Sequence, residues 1–204
     1  MDLSWLPSFA CFVMGIFILG LTFKQRVEKT NKQKKGDWRE ALEKEHTMQF
    51  VRAKTIPENL FLSVDFEKYP VVNNSSCQEI YLKLLNCAKT PMVNLKQMSN
   101  LEIKQQFGPS GLDMLTSYER NYFNFMDISY EYGSILYDNG FVKEARKVLE
   151  MSILYGCDAS KCYLLLIQIY KLMNDSEALN QIKETAMKNM KNSPLLEKVL
   201  SQLS

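Results

Sequence analysis

The stretch MDISYEYGSILYDNGFVKEARKVLEMSILYGC, residues 126–157, reads as one helix–turn–helix. Gly133 lets a second helix approach closely, Gly140 makes the turn, Ala145 stands at the crossing point and Leu149 fills the space between the helices. The same order then returns. Tyr163, Leu166 and Tyr170 share one helix face, Asn174-Asp175 makes the turn, and Ala178 and Ile182 follow on a second helix. Ala178 repeats the part of Ala145, so these two small residues mark the period of the repeat. The fold class predicted for this part of the chain is all-α.

Working outward, the helical pattern begins at Ser75. Ser75 or Ser76 caps a helix with Ile80, Leu84, Leu85 and Ala88 on one face, ended by Thr90-Pro91. Ser99 followed by Glu102 is a capping box opening a short helix that stops at Phe107-Gly108-Pro109, and Ser110 with Asp113 signals another start. The long helix that follows, up to Asn139-Gly140, carries Leu112, Leu115, Tyr118, Tyr122, Phe123, Phe125, Met126, Tyr130, Tyr132 and Tyr137. This stripe is wider than one face, which predicts a core side and a side facing a neighbour. Ser193-Pro194 to Leu203 reads as a terminal helix capping the last repeat, with Pro194 in its first turn.

Residues 50–74 have another character. Ile56-Pro57, Tyr69-Pro70 and Asn73-Asn74 punctuate them and no helical period survives, so they read as an extended connector over the domain surface. Phe50, Leu60, Leu62 and Tyr69 are available to pin it down. Residues 24–49 read as a basic, helical stalk interrupted at Lys35-Gly36-Asp37.

Leu3 to Phe23 is one apolar run. At about 1.5 Å per residue it reaches about 31 Å, enough for a hydrocarbon core of about 30 Å. A secretory signal peptide is the competing reading. That would place positive charge before the run and a small-residue cleavage site after it, whereas only Asp2 precedes and Gly20-Leu21-Thr22-Phe23 is a poor site. The expected organisation is therefore a transmembrane anchor over 1–23, a juxtamembrane stalk over 24–49, a connector over 50–74 and a helical domain over 75–204. Basic residues from Lys24 to Arg39 give that block a local +5, while residues 40–204 hold eighteen basic and twenty acidic groups. The positive-inside rule then predicts a single-pass protein of the cell membrane, N-terminus outside and bulk of the chain cytoplasmic, its stalk against anionic lipid. Nucleic acid is not an expected partner.

Catalytic and metal signatures are missing. The five cysteines, Cys11, Cys77, Cys87, Cys157 and Cys162, form no Cys-x-x-Cys pair and read as small buried hydrophobes. His46, the single histidine, lies among Glu43, Lys44, Glu45 and Gln49, a solvated helix face. No Gly-x-Ser-x-Gly, phosphate-cradling glycine loop or His-Glu-x-x-His occurs, and Gly108-Pro109-Ser110-Gly111 lacks the lysine and preceding strand of a phosphate loop. Neither an enzyme nor a cofactor is expected.

Gly133, Gly140 and Ala145, with Tyr170 and Ala178 in the second unit, resemble the tetratricopeptide-repeat family across residues 126–192. The spacing from Ala145 to Ala178 is one short of that family's period of about 34 residues, with the deletion placed in the turn. The family's usual tryptophan is missing, Cys157 replaces its proline between repeats, and residues 75–107 would be a degenerate repeat. The arrangement of anchor, connector and repeats also resembles membrane-anchored proteins of low-GC Gram-positive bacteria.

The resemblance implies an α-solenoid of helical hairpins whose inner wall comes from the first helix of each pair. Its groove residues would be Asp127, Tyr130, Ser134, Tyr137, Lys161, Leu164, Gln168 and Lys171. They lack the Lys and Asn pattern of family members that clamp chaperone C-terminal carboxylates. The alternatives are a merely solvated wall, or a wall covered by residues 50–74. The function expected is a membrane-tethered scaffold for protein–protein interaction, recruiting a protein or peptide to the cytoplasmic face. The alternative is a structural subunit packed permanently in a larger membrane complex through its aromatic helix.

Overall fold

The computed structural model describes residues 38–40, 42–47, 50–52, 54–87 and 89–203. The chain divides into two compact units, Met1–Arg52 and Ala53–Ser204. In the first unit residues 38–40 and 42–47 are helical, and Lys44 pairs with Glu40 at 2.7 Å on an exposed face. The expected interruption at Lys35-Gly36-Asp37 and the basic residues 24–37 lie outside the described residues.

The expected transmembrane anchor is corrected. Among the described residues no helix is long and apolar enough to cross a membrane. The run 1–23 on which the expectation rested lies outside them. Length alone does not suffice, as the longest described helix shows. It covers 39 residues but carries Lys104, Asp113, Glu119, Arg120, Asp127 and Glu131 along its course, and a charged residue at a membrane helix centre costs about 2.5–3.5 kcal/mol. The predicted placement in the cell membrane, N-terminus outside and bulk cytoplasmic, falls with the anchor. What stands of the fold class is an all-α chain.

The second unit contains α1 (Ser75–Cys87), α2 (Asn100–Asp138), α3 (Val142–Leu154), α4 (Ser160–Leu172), α5 (Ser176–Asn189) and α6 (Leu196–Ser201). Each helix packs on the next, and α2 also touches α4 as α4 touches α6. This order is compatible with an α-solenoid. Among the described residues the only β pairing is an isolated antiparallel bridge between Phe61 and Val93.

The local signals explain the helix ends. At the start of α2 the Glu102 backbone N–H donates to Ser99 Oγ, and the Ser99 N–H donates back to the Glu102 carboxylate at 2.7 Å. Gly108 breaks α2 with φ 75°, a conformation open to glycine, and Pro109 starts the helix anew. The two expected helices thus join end to end without a loop. Residues 75–107 do not make a tight hairpin: between α1 and α2 runs the stretch 89–99, which buries Met92, Val93 and Leu95. The terminal helix is shorter than expected, Leu196–Ser201, and is held by the fully buried Val199.

The two hairpins repeat in their backbone at the full tetratricopeptide period of about 34 residues, not one short of it. Asn139, Gly140 and Phe141 donate their N–H groups to the carbonyls of Ile135, Tyr137 and Leu136. Met173, Asn174 and Asp175 donate theirs to Ile169, Lys171 and Tyr170, so every donor and acceptor returns one full period later. Both turns pass through a left-handed residue, Gly140 at φ 84° and Asn174 at φ 54°. The turn therefore holds no deletion. Ala178 sits one place earlier on α5 than Ala145 does on α3, and both are buried.

Residues 54–74 run over this core, with two short 3-10 turns at Glu58–Leu60 and Phe66–Lys68. Tyr69 is 3% exposed and packs with Phe66 against Phe125. Tyr132 donates its hydroxyl to the Pro70 carbonyl at 2.6 Å, and the Leu62 N–H donates to the Met92 carbonyl at 2.8 Å. Leu60 and Phe61 join a smaller core around Val93, Leu95, Ile103, Phe107 and Leu115. Phe50 belongs to the first unit, where it is 76% exposed.

Candidate functional site

The eight residues expected to line a groove fall on two helices at matching places. Asp127, Tyr130, Ser134 and Tyr137 lie on α2; Lys161, Leu164, Gln168 and Lys171 lie on α4, each one full period later. None is buried. Their side of α2 is opposite the face that buries Phe125, Ser129, Tyr132 and Leu136, because residues three or four apart share a helix face.

Contacts across the two helices tie the wall together. Lys161 Nζ meets Asp127 Oδ1 at 2.6 Å and stands 4.6 Å over the Tyr130 ring. Gln168 donates its side-chain N–H to the Tyr137 hydroxyl at 2.9 Å. The ion pair is exposed, with the two side chains 42% and 68% accessible, so its energetic value is about 0.2–1 kcal/mol. Its main effect is to orient Lys161 over Tyr130.

Between α4 and the C-terminal helix the surface opens into a groove of about 520 Å³ lined by Tyr130, Lys161, Leu164, Gln168 and Lys171, with Leu165 and Ile167 in its floor. Asp127, Ser134 and Tyr137 do not line it. The far wall is Lys198 and Gln202, which the sequence reading missed. A signal existed: these two residues are four apart, so they share a face on the helix that was read only as a cap. Neither Lys171 nor Lys198 forms an ion pair among the described residues. The groove thus joins an apolar floor to two unpaired ammonium groups and two amides. The connector makes its hydrogen bonds to Tyr132, Met92, Tyr155 and Asn139, none of them a groove residue.

Tyr163, fully buried on α4, has its hydroxyl satisfied. The Tyr163 hydroxyl donates to the Cys157 carbonyl at 3.1 Å and accepts from Asn189 at 3.2 Å. Burial pushes its pKa up to about 12. Among the described residues no three His, Cys, Asp or Glu side chains are placed to hold a metal ion. The arrangement offers contact area and charge. In comparison with known proteins, the chain matches no family model, no curated protein and no solved structure.

Proposed function

We propose that residues 53–204 form a tetratricopeptide-like interaction module that binds a protein or peptide segment in the groove between α4 and α6. The observation that carries this reading is the groove itself: five of the eight expected residues line it, and the connector does not occupy it. The repeat of the turn hydrogen bonds at about 34 residues supports the likeness to tetratricopeptide hairpins. Lys171 and Lys198, on opposite sides of an apolar floor, favour a segment that carries a carboxylate beside an apolar side chain. The rival reading, a subunit packed permanently through its aromatic helix, draws less support. Tyr122, Phe125 and Tyr132 are buried within the unit, and of that stripe's aromatic side chains only Phe123 is more than half exposed.

The test compares proteins co-purifying with the full chain and with Tyr130→Ala or Lys171→Glu. Truncating an aromatic anchor typically costs about 2 kcal/mol of binding, some thirtyfold in affinity. The expected result is loss of the same partner from both variants at unchanged melting temperature. A partner retained by both would remove the groove from the function.

A further inference from the structure

The junction between the two hairpins holds two thiols side by side. Cys157 follows Gly156, whose φ of 90° turns the chain out of α3, and Cys162 lies in the first turn of α4. Both are buried, 2% and 0% exposed, and their sulfurs are 3.3 Å apart. The other described thiols are differently placed: Cys87 accepts a hydrogen bond from the Asn124 amide at 3.3 Å, and Cys77 faces the α1–α2 core.

We infer that Cys157 and Cys162 are a peroxide-responsive dithiol, closing to a disulfide that staples the inter-repeat turn to the start of α4. A disulfide has its sulfurs about 2.0 Å apart, so they must close by about 1.3 Å. The intervening Asp158 and Ala159 are not helical, so the turn can supply that movement while α4 stays fixed. Burial selects a small oxidant over a bulky disulfide. A Cys157 thiolate accepts the hydrogen bond from Cys162, which together with the Ala159 N–H outweighs burial and holds it below the ordinary thiol range. The same bond, and burial, push Cys162 up. Cys157 is therefore the attacking sulfur.

The steps balance. The Cys157 thiolate attacks one oxygen of hydrogen peroxide, the O–O bond breaks, and hydroxide leaves to take up the proton released from Cys157. Cys157 is now a sulfenic acid. The Cys162 sulfur attacks the Cys157 sulfur, the S–O bond breaks, and the departing hydroxide takes the Cys162 proton as water. Two thiols and one peroxide become one disulfide and two waters, and an external dithiol reverses the change by exchange. Because Lys161 precedes Cys162 and stands over Tyr130, the staple fixes the turn that positions one end of the groove.

Treating the full chain with hydrogen peroxide, alkylating it in denaturant and mapping its peptides tests the pair without any variant. Expected are the loss of two alkylatable thiols, a dithiol-reversible cross-link joining Cys157 to Cys162, and slower amide exchange over residues 157–162. In Cys162→Ser, whose hydroxyl can still donate to Cys157 but cannot close a disulfide, the Cys157 sulfenic acid should accumulate and be trapped by a 1,3-diketone. Over-oxidation of Cys157 without a cross-link, cross-linking to another cysteine instead, or both thiols staying alkylatable would each overturn the proposal.

Discussion

The hairpins α2–α3 and α4–α5 share a backbone and fill it differently. Their turn hydrogen bonds coincide pair by pair, yet Tyr132 and Gly133 in the first stand where Leu166 and Ile167 stand in the second. Tyr132 reaches out of its hairpin to bond the Pro70 carbonyl, while Gly133 makes room for Leu149. The second hairpin needs no strap. It is joined to the first by Arg146, which pairs with Glu150 at 2.7 Å and Asp175 at 2.9 Å and lies 5.0 Å from the Tyr170 ring. One backbone thus accepts two sets of neighbours: the first hairpin bonds an added segment, and the second is tied to the first by an interhelical ion network and packs against α6.

The largest effect should come from Tyr132→Ala against Leu166→Ala. Both side chains are fully buried, and such truncations cost about 2–5 kcal/mol. In urea unfolding, Tyr132→Ala should lose more, because it also leaves the Pro70 carbonyl without its partner. Equal losses would show that the strap adds nothing to the first hairpin. Next comes Gly133→Leu. A Cβ there lies 2.9 Å from Leu149 Cγ and Cδ2, and overpacking costs about 1–3 kcal/mol. Adding Leu149→Ala should recover part of that loss, since the two sites share one space. No recovery would mean that Gly133 matters for another reason.

The turns should differ by less. Around Gly140 a Cβ meets nothing within 4 Å, so Gly140→Ala reports backbone strain alone, about 1–2 kcal/mol. Asn174→Gly should be neutral or slightly stabilising, and a clear loss there would undo the equivalence of the two turns. Asp175→Ala tests the cap at the same turn. Asp175 Oδ1 accepts the Ala178 N–H at 3.0 Å, whereas Phe141 at the matching place provides no side-chain cap. That backbone hydrogen bond, and then Arg146, holds the Asp175 carboxyl below the usual value of 3.8. A depressed pKa gives stability that is present above 3.8 and lost as pH falls through the lower folded value. The gap between parent and variant melting curves should therefore close in acid, and a gap unchanged at low pH would rule out the charge as its source.

Much of this was legible in local chemistry. Ser99 with Glu102, Gly108-Pro109, Asn139-Gly140 and Asn174-Asp175 each act over a short span of chain, where backbone sterics and a single side-chain bond settle the outcome. Tyr130, Lys161, Leu164, Gln168 and Lys171 were named through the resemblance to tetratricopeptide repeats, and Asp127, Ser134 and Tyr137, named with them, do not line the groove. Misread were the period, the partner wall and the anchor. Counting from Ala145 to Ala178 took the small residue as the marker, but a crossing point can slide one place along a helix while the turns keep register. Lys198 and Gln202 were missed because the sequence does not say which face of a terminal helix turns toward α4. The anchor was argued from an apolar run and the charges that flank it, and no described helix carries it.

The sequence by itself determined that most of residues 75–203 is helical, where most of those helices start and break, and which side of each is apolar. Caps, glycines and periodicity act through bonds and contacts between near neighbours in the chain. Only the tertiary structure decided that Tyr132 bonds the strap, that α6 supplies the opposite wall, and that Cys157 and Cys162 meet. Each of these depends on how the elements are rotated and docked against one another. That choice is made by the packing of whole faces, and no local run of residues encodes it.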